Sequence, residues 1–397
     1  MAPDVTGEDD SAPGALEGIR VLELSTVIMG PYAAQMLGDL GADVIKVETG
    51  EGDMNRAMPG PPGMSGVSLT INRNKRSVRL DLKKPADREA FGRVLDTCDV
   101  FLTNLRPGAL KRLGLAYSDV SASRPRIIYC QAAGFRSGTP EEDRPAYDDI
   151  IQAATGLPRL NEAAAGKAAF LPTIMGDKVS GTTVLSAVLA ALLHRERTGQ
   201  GQRVEVAMFD AVLAFTLTEH LARAAAPGGQ AGYSRVLTST RGPHRTRDGY
   251  LAVLPYSDAQ WRRLFKAAGH EDLLAEPYLA TYAARTEHAE QAYATLGTII
   301  AERTTAEWLE ICDAEDIPAT TVPSVAEIVE DETLHRGMLT LAEHPVIGPY
   351  RVVGPNMILD STPVRVRRHA PVAGEHTAEV LAEVGLTGEE IRAVTGG

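Results

Sequence analysis

Short apolar runs and helical periods alternate through the first half of the chain. Residues 19–24 (Ile-Arg-Val-Leu-Glu-Leu) read as a strand. Gly30-Pro31 opens a helix to about Leu40, with the proline in the first turn, where its missing N–H costs nothing, and Gly41 closes it. Residues 43–48 form a second strand pattern, and 77–82, 99–104 and 126–131 give three more, with helical patterns between some of them. Strand–helix–strand repetition of this kind predicts an α/β fold with a doubly wound parallel sheet, Rossmann-like in layout. The strongest helical period covers 179–197. Val184, Ala187, Val188, Ala191 and Leu192 repeat at helical spacing, and Leu185, Leu189 and Leu193 add a second apolar face, which predicts a helix buried on two sides. His194, Arg195 and Arg197 crowd its end, and Gly199 stops it.

The pattern changes near 225–247. Ala/Gly-rich sequence passes into Arg241-Gly242-Pro243-His244-Arg245, which reads as a linker or active-site loop. A smaller α+β segment follows, with a strand at 250–254 and helices near 257–268, 287–303 and 305–314, the last opened by a Thr304–Glu307 capping box. From Ile317-Pro318 the chain reads as loop-rich, then ends in a helix pair after Gly374.

Composition narrows the class. A length of 397 residues exceeds what one core normally supports, so two domains are expected. The net charge of −12 argues against general nucleic-acid binding, which needs a basic surface. No uninterrupted apolar run reaches the roughly 18 residues of a membrane span, and residues 1–15 read as an acidic disordered tail without signal-peptide features. Cys98, Cys130 and Cys312 lie far apart and form no CxxC, as expected of reduced core residues in a cytoplasmic protein.

The motifs of rival chemistries are incomplete. The turn after the first strand, Ser25 to Pro31, carries one glycine where a dinucleotide fingerprint needs three, although Glu48 ends the second strand where such folds place a ribose-binding acid. No histidine precedes His194, and the nine from His194 onward show no ligand spacing, so no metal is expected. Arg73, Lys75, Arg76 and Arg79, with Arg106, Lys111 and Arg112, read either as a solvated surface or as a cradle for phosphates at the strand ends.

Asp177, in Gly176-Asp177-Lys178 ahead of the long helix, is the chief candidate for chemistry. Asp is a favoured N-cap, and local spacing alone favours that role. The same position suits a nucleophile, because a helix start favours an ionised carboxylate and a carboxylate can attack an activated acyl group.

Taken in order, the segments resemble the class III coenzyme A transferases (CaiB/BaiF, formyl-CoA transferase-like), a family that also holds α-methylacyl-CoA racemases. The matching stretches are 16–23, Gly30-Pro31, 40–48, Asn74-Lys75-Arg76-Ser77, Asn104-Leu105-Arg106-Pro107-Gly108, Arg144-Pro145-Ala146-Tyr147-Asp148, Gly176-Asp177, 197–202, Ile317-Pro318-Ala319 and 374–377. The resemblance implies a large domain built from both chain ends and a smaller α+β domain between them. In this chain those are the tail at 1–15, a first part at 16–224, the small domain with linkers at 225–325 and a return segment at 326–397. It also implies an interlocked homodimer, coenzyme A and acyl-CoA as substrates rather than a resident cofactor, and a small carboxylic acid as acceptor. Asp177 falls on the catalytic aspartate, with Tyr147 and Asp148 as its neighbours. Val27, Ile28 and Met29 match the loop near the CoA thiol. Lys75 and Arg76 match residues near the nucleotide, and Asn104, Leu105 and Arg112 match the CoA channel.

Three departures bear on specificity. Ile28 stands where formyl-CoA transferases carry glutamine, their glycine-run lid has no clear counterpart near 240–247, and Tyr147 replaces a racemase histidine. The expected activity is transfer of CoA between acids through an aspartyl anhydride and an aspartyl thioester. An acyl-CoA racemase, a non-catalytic CoA-binding protein and a dinucleotide-dependent dehydrogenase are the other readings.

Overall fold

The computed structural model describes residues 12–50, 52–61 and 64–395. Of the tail expected over 1–15, residues 1–11 lie outside the described residues. At its end the chain is already packed. Gly14 lies so close to Leu40 and Gly41 that an added Cβ would meet the Leu40 carbonyl at 2.6 Å, and the Leu16 amide donates to that carbonyl.

The chain divides into two compact units, one comprising residues up to Ile151, Thr173–Phe215 and those from His335 onward, the other Gln152–Pro172 and Thr216–Leu334. The first unit holds β1 (Arg20–Leu24), α1 (Met29–Asp39), β2 (Asp43–Glu48), β3 (Lys75–Arg79), α2 (Pro85–Asp96), β4 (Val100–Thr103), α3 (Pro107–Leu113) and β5 (Ile128–Ala133). It continues with α4 (Asp148–Ala154), whose last residues pass into the second unit, α5 (Met175–Thr198) and β6 (Gln202–Ala207). The six strands form one parallel sheet in the order β3-β2-β1-β4-β5-β6. That order reverses between β1 and β4, and such a switch point opens a crevice at the carboxyl ends of the strands.

Both faces of the sheet are covered, as a parallel sheet requires. On one face Leu22, Ile45, Val78 and Phe101 meet Phe91, Val94 and Leu95 of α2 and Val380, Leu381 and Val394 of the C-terminal helices. On the other, α1 packs on α5, and α5 packs on β5 and β6. The C-terminal helix pair, Thr377–Glu383 and Gly388–Thr395, therefore completes a core begun 350 residues earlier.

Three expectations are corrected. The long helix starts at Met175 rather than 179, which moves Asp177 into its first turn. Its second apolar face is only partly buried: Leu185 is buried and Leu189 half-buried, but Leu193 is 53% exposed, while Val184, Val188 and Leu192 of the first face are buried. The helix is long and apolar enough to cross a membrane by length and composition alone, but its buried face is that of a core helix packed on a sheet. Strand β6 was not anticipated, although Val204 and Val206 alternate with polar residues; nor was the antiparallel hairpin Leu339–His344/Gly348–Val353 within the stretch read as loop-rich.

The second unit contains a three-stranded sheet, with Tyr250–Val253 between His244–Arg245 and Ala319–Thr321. Its core is Trp261, Leu264 and Phe265 of the helix Asp258–Ala268 packed with Leu296, Ile300 and Trp308. The Thr304–Glu307 capping box forms as expected.

Candidate active site

Two helix starts meet at Asp177. Helix α5 has Ile174 as N-cap, with no side-chain bond of its own, and Asp177 is its third residue. The cap comes instead from Asp148, at the start of α4. Its Oδ1 accepts from the amides of Gly176 at 2.5 Å and Asp177 at 3.4 Å. Asp148 thus fills the role the spacing suggested for Asp177, and satisfies donors that a helix start leaves unpaired. Gly176 permits the approach, since a Cβ there would lie 3.1 Å from Asp148 Oδ1.

Released from capping its own helix, the Asp177 carboxylate caps α1. Its Oδ1 accepts from the Met29 amide, the first of that helix, at 3.1 Å. No hydrogen bond from the described residues reaches Oδ2. Asp177 is only 6% exposed, and its pKa is pushed up to about 6 by burial and by the Asp148 charge, against the opposing effect of the Met29 amide. A carboxylate raised this far is still mostly ionised at neutral pH, yet poorly solvated, as a nucleophile requires.

Asp177 opens into a cleft of about 220 Å³ beyond the carboxyl ends of β1, β4 and β5. Thr26, Val27 and Met29 line it from the turn after β1, Asn104 and Leu105 from the turn after β4, and the exposed Tyr147 from the turn before α4. Arg106 and Arg144 also line it; both are exposed, and neither forms an ion pair with a described residue. Leu105 is shared with an adjoining cavity of about 430 Å³, which runs along Leu24, Thr26, Leu82 and Leu113.

Of the candidate residues, the structure brings together Val27, Met29, Asn104, Leu105, Tyr147, Asp148 and Asp177. Ile28 is buried as the N-cap of α1 and does not line the cleft. Arg112 is exposed in the last turn of α3 and does not line the cleft. Lys75 and Arg76 are not brought to the cleft. They lie at the amino end of β3, and their charges are engaged internally. Lys75 Nζ bonds Glu23 at 2.8 Å and the Pro31 carbonyl at 2.8 Å, while Arg76 pairs with Asp43, Glu379 and Glu383. Burial lowers the Lys75 pKa to about 8, partly countered by Glu23. Arg73 is likewise tied to Asp39. The phosphate cradle suggested by these residues is therefore not assembled from Arg73, Lys75 and Arg76.

Glu48 is equally engaged. Arg56 reaches both its oxygens, at 2.6 and 2.7 Å, and the Asp53 amide and Ser77 hydroxyl also donate to it. Burial would raise its pKa, but Arg56 and Lys46 hold it at about 2. An acid bound on both sides is not available to a ribose, which removes the remaining support for a dinucleotide site. Cys130 and Cys312 are buried free thiols and Cys98 a half-buried one; burial pushes Cys98 and Cys130 up to about 12 and Cys312 to about 11, so they are inert core residues.

No local pattern marks the residues that shape the turn after β1: Lys46, Asp53 and Asn55. Lys46 Nζ bonds Glu23, Asp53 and the Ser25 carbonyl, each at 2.9 Å. The strand and turn residues they hold, Glu23, Ser25 and Val27, lie 21 to 28 residues away in sequence, beyond any local period.

Known proteins resemble this chain along nearly its whole length. The model of CoA-transferase family III matches residues 16–377. The succinyl-CoA:glutarate CoA-transferase of Mus musculus is 32% identical, over 93% of this chain and 86% of its own. The succinate–glutarate CoA-transferase of Agrobacterium fabrum is 33% identical, over 93% of this chain and 95% of its own. The orthorhombic crystal form of a Mycobacterium tuberculosis protein superposes with a TM-score of 0.79 at 30% identity, covering 93% of this chain and 99% of that one. With a family match across nearly its whole length and relatives of this similarity, the chain belongs to CoA-transferase family III and is an enzyme of that class.

Proposed function

We propose that this enzyme moves coenzyme A from an acyl-CoA to a carboxylic acid, with Asp177 as covalent nucleophile. The observation that carries the reading is a buried carboxylate at the wall of a cleft, with one oxygen held by a backbone amide and the other unbonded among the described residues. In the first step Oδ2 attacks the donor thioester carbonyl, the C–S bond breaks, and CoA leaves as thiolate from a mixed anhydride. The thiolate then attacks Cγ of Asp177, the Cγ–Oδ2 bond breaks, and the donor acid departs as its carboxylate with that oxygen, leaving an aspartyl thioester. The acceptor carboxylate attacks that thioester at Cγ, expelling the thiolate and forming a second anhydride. Attack of the thiolate on the acceptor's acyl carbon releases the new acyl-CoA and restores Asp177. When charge develops on Oδ1 at the tetrahedral stages, the Met29 amide is already in place to stabilise it, which is the arrangement that lowers such barriers most. Thioester and anhydride are close in reactivity, so the exchange needs no external energy source, only exclusion of water.

The guanidinium of Arg144 in the same cleft, unpaired among the described residues, favours an acceptor with a second carboxylate, in keeping with the dicarboxylic acids named in two relatives. The reading also includes a homodimer, which sedimentation at micromolar concentration would test.

The decisive experiment is trapping. The enzyme incubated with succinyl-CoA and then treated with hydroxylamine or borohydride should carry a modification at Asp177, read by peptide mass spectrometry. No adduct across a broad acyl-CoA panel would sink the transferase reading. Deuterium entering the α-carbon of a 2-methylacyl-CoA without acyl exchange would replace it with racemisation.

A further inference from the structure

Both backbone groups of Thr26 and of Val27, in the turn that carries Met29, are held by side chains, and Val27 is strained. Ser25 O accepts from Lys46. Thr26 is bracketed by Asn104, whose Oδ1 takes the Thr26 amide at 3.0 Å and whose Nδ2 gives to the Thr26 carbonyl at 2.7 Å. Val27 has φ +69°, left-handed and rarely adopted by a β-branched residue. Its amide donates to Asp53 Oδ1 at 2.9 Å, and its carbonyl accepts from Asn55 Nδ2 at 3.0 Å. Ile28 O accepts from Tyr32 at 2.7 Å, and the Met29 amide follows, aimed at Asp177.

A conformation of this kind costs about 1–3 kcal/mol and persists only where its surroundings over-determine it. Here they do. Asp53 and Asn55 are buried, Asp53 is itself gripped by the fully buried Lys46, and Lys46 is balanced by Glu23, also fully buried. If Val27 relaxed to negative φ, the chain would leave the turn in another direction, and the amide two residues on would no longer face Asp177. We infer that Asp53 and Asn55 are positioning residues that hold Val27 in its left-handed conformation and so aim the Met29 amide at the Asp177 carboxylate. This rests on the reading of Asp177 as nucleophile and adds to it the device that orients one of its oxygens.

The test uses Asn55→Ala in the full-length enzyme, since this removes the bond to the Val27 carbonyl and leaves the Lys46 ion pairs intact; Asp53→Ala would strand Lys46 and endanger folding. With succinyl-CoA and glutarate, Asn55→Ala should lower kcat about tenfold to a hundredfold with KM for succinyl-CoA nearly unchanged. Adding Val27→Gly should restore most of that loss, because glycine adopts positive φ without strain. Simple structural damage would be deepened, not relieved, by a glycine. Deuterium exchange in the peptide containing Met29 should quicken in Asn55→Ala. Wild-type kcat and exchange in Asn55→Ala, or no restoration by Val27→Gly, would overturn the inference. Absence of both turnover and an Asp177 adduct in the wild type overturns the functional reading alone; the clamp is then decided by exchange at Met29.

Discussion

Asp177 is held where ionisation is unfavourable, and this has a cost that can be measured. Its pKa is raised from the ordinary aspartate range to about 6, so the folded state binds its proton more tightly than the unfolded state does. Below the unfolded value both states are protonated and the residue is neutral to stability. Above about pH 6 both are ionised and the fold carries the full penalty, about 2–3 kcal/mol for a shift of this size in so buried a group. Asp177→Asn, which keeps an acceptor for the Met29 amide, should therefore stabilise the enzyme by about 2 kcal/mol near pH 7.5 and by almost nothing near pH 4. Urea melts at the two pH values check this, and the variant should form no acyl adduct. Equal stability of variant and wild type near neutral pH would mean that the carboxylate is better solvated than its burial implies. For the wild type, kcat/KM should fall with acid through an apparent pKa near 6, as the nucleophile is protonated. Arg144 makes a separate prediction. Arg144→Gln should raise KM for glutarate about tenfold while leaving a monocarboxylic acceptor of similar length almost unaffected, the size expected for one charge-assisted contact. A uniform rise for both acceptors would place Arg144 outside the acceptor site.

At the scale of elements, the site is a relay of helix caps. Asp148 from the start of α4 caps α5, and Asp177 from the first turn of α5 caps α1. Each carboxylate sits where the positive end of a helix favours it. The relay separates two functions of Asp148 that substitution can pull apart. Asp148→Ala removes the cap and should cost about 1–2 kcal/mol. Asp148→Asn keeps the accepting oxygen but removes the neighbouring charge that helps to raise Asp177, so stability should change little while the acid limb of the rate profile moves below pH 6. If Asp148→Asn left that limb in place, burial alone would account for the shift. Packing of α1 on α5 depends on Gly181, where a Cβ would lie 3.0 Å from the Met29 carbonyl and from the Tyr32 ring. That explains a glycine in the interior of a 24-residue helix, where it otherwise weakens the fold.

Across the whole molecule, the chain's two ends share one core. Val380, Leu381 and Val394 pack against Leu22, Ile45 and Phe91, and Glu379 and Glu383 neutralise Arg76. A chain ended at Leu334 should lose cooperative unfolding of the first unit, seen in thermal melts, and with it any adduct at Asp177; wild-type trapping by that fragment would refute the dependence. Much of this architecture was legible beforehand, because strands and helices advertise themselves by local period: β1, β2, β4, β5, the helix at Thr305–Ala314 and the C-terminal pair all lie close to where their apolar spacing put them. So was Asp177 as a candidate, from its place before a long helix and from the segments around it. The rest depends on approach between residues distant in sequence. Asp148 displaced Asp177 as cap from 29 residues away, Asn55 clamps Val27 from 28, and Asp177 meets Met29 across 148. Lys75 and Arg76 looked like ligand contacts because charge in a sequence carries no record of its partner, and only the fold buried them against Glu23 and Glu383. Sequence by itself determined the elements and the chemistry carried at each position. Tertiary structure decided which charges neutralise one another, because it sets which distant residues meet, and it brought the Asp177 carboxylate to the wall of the cleft.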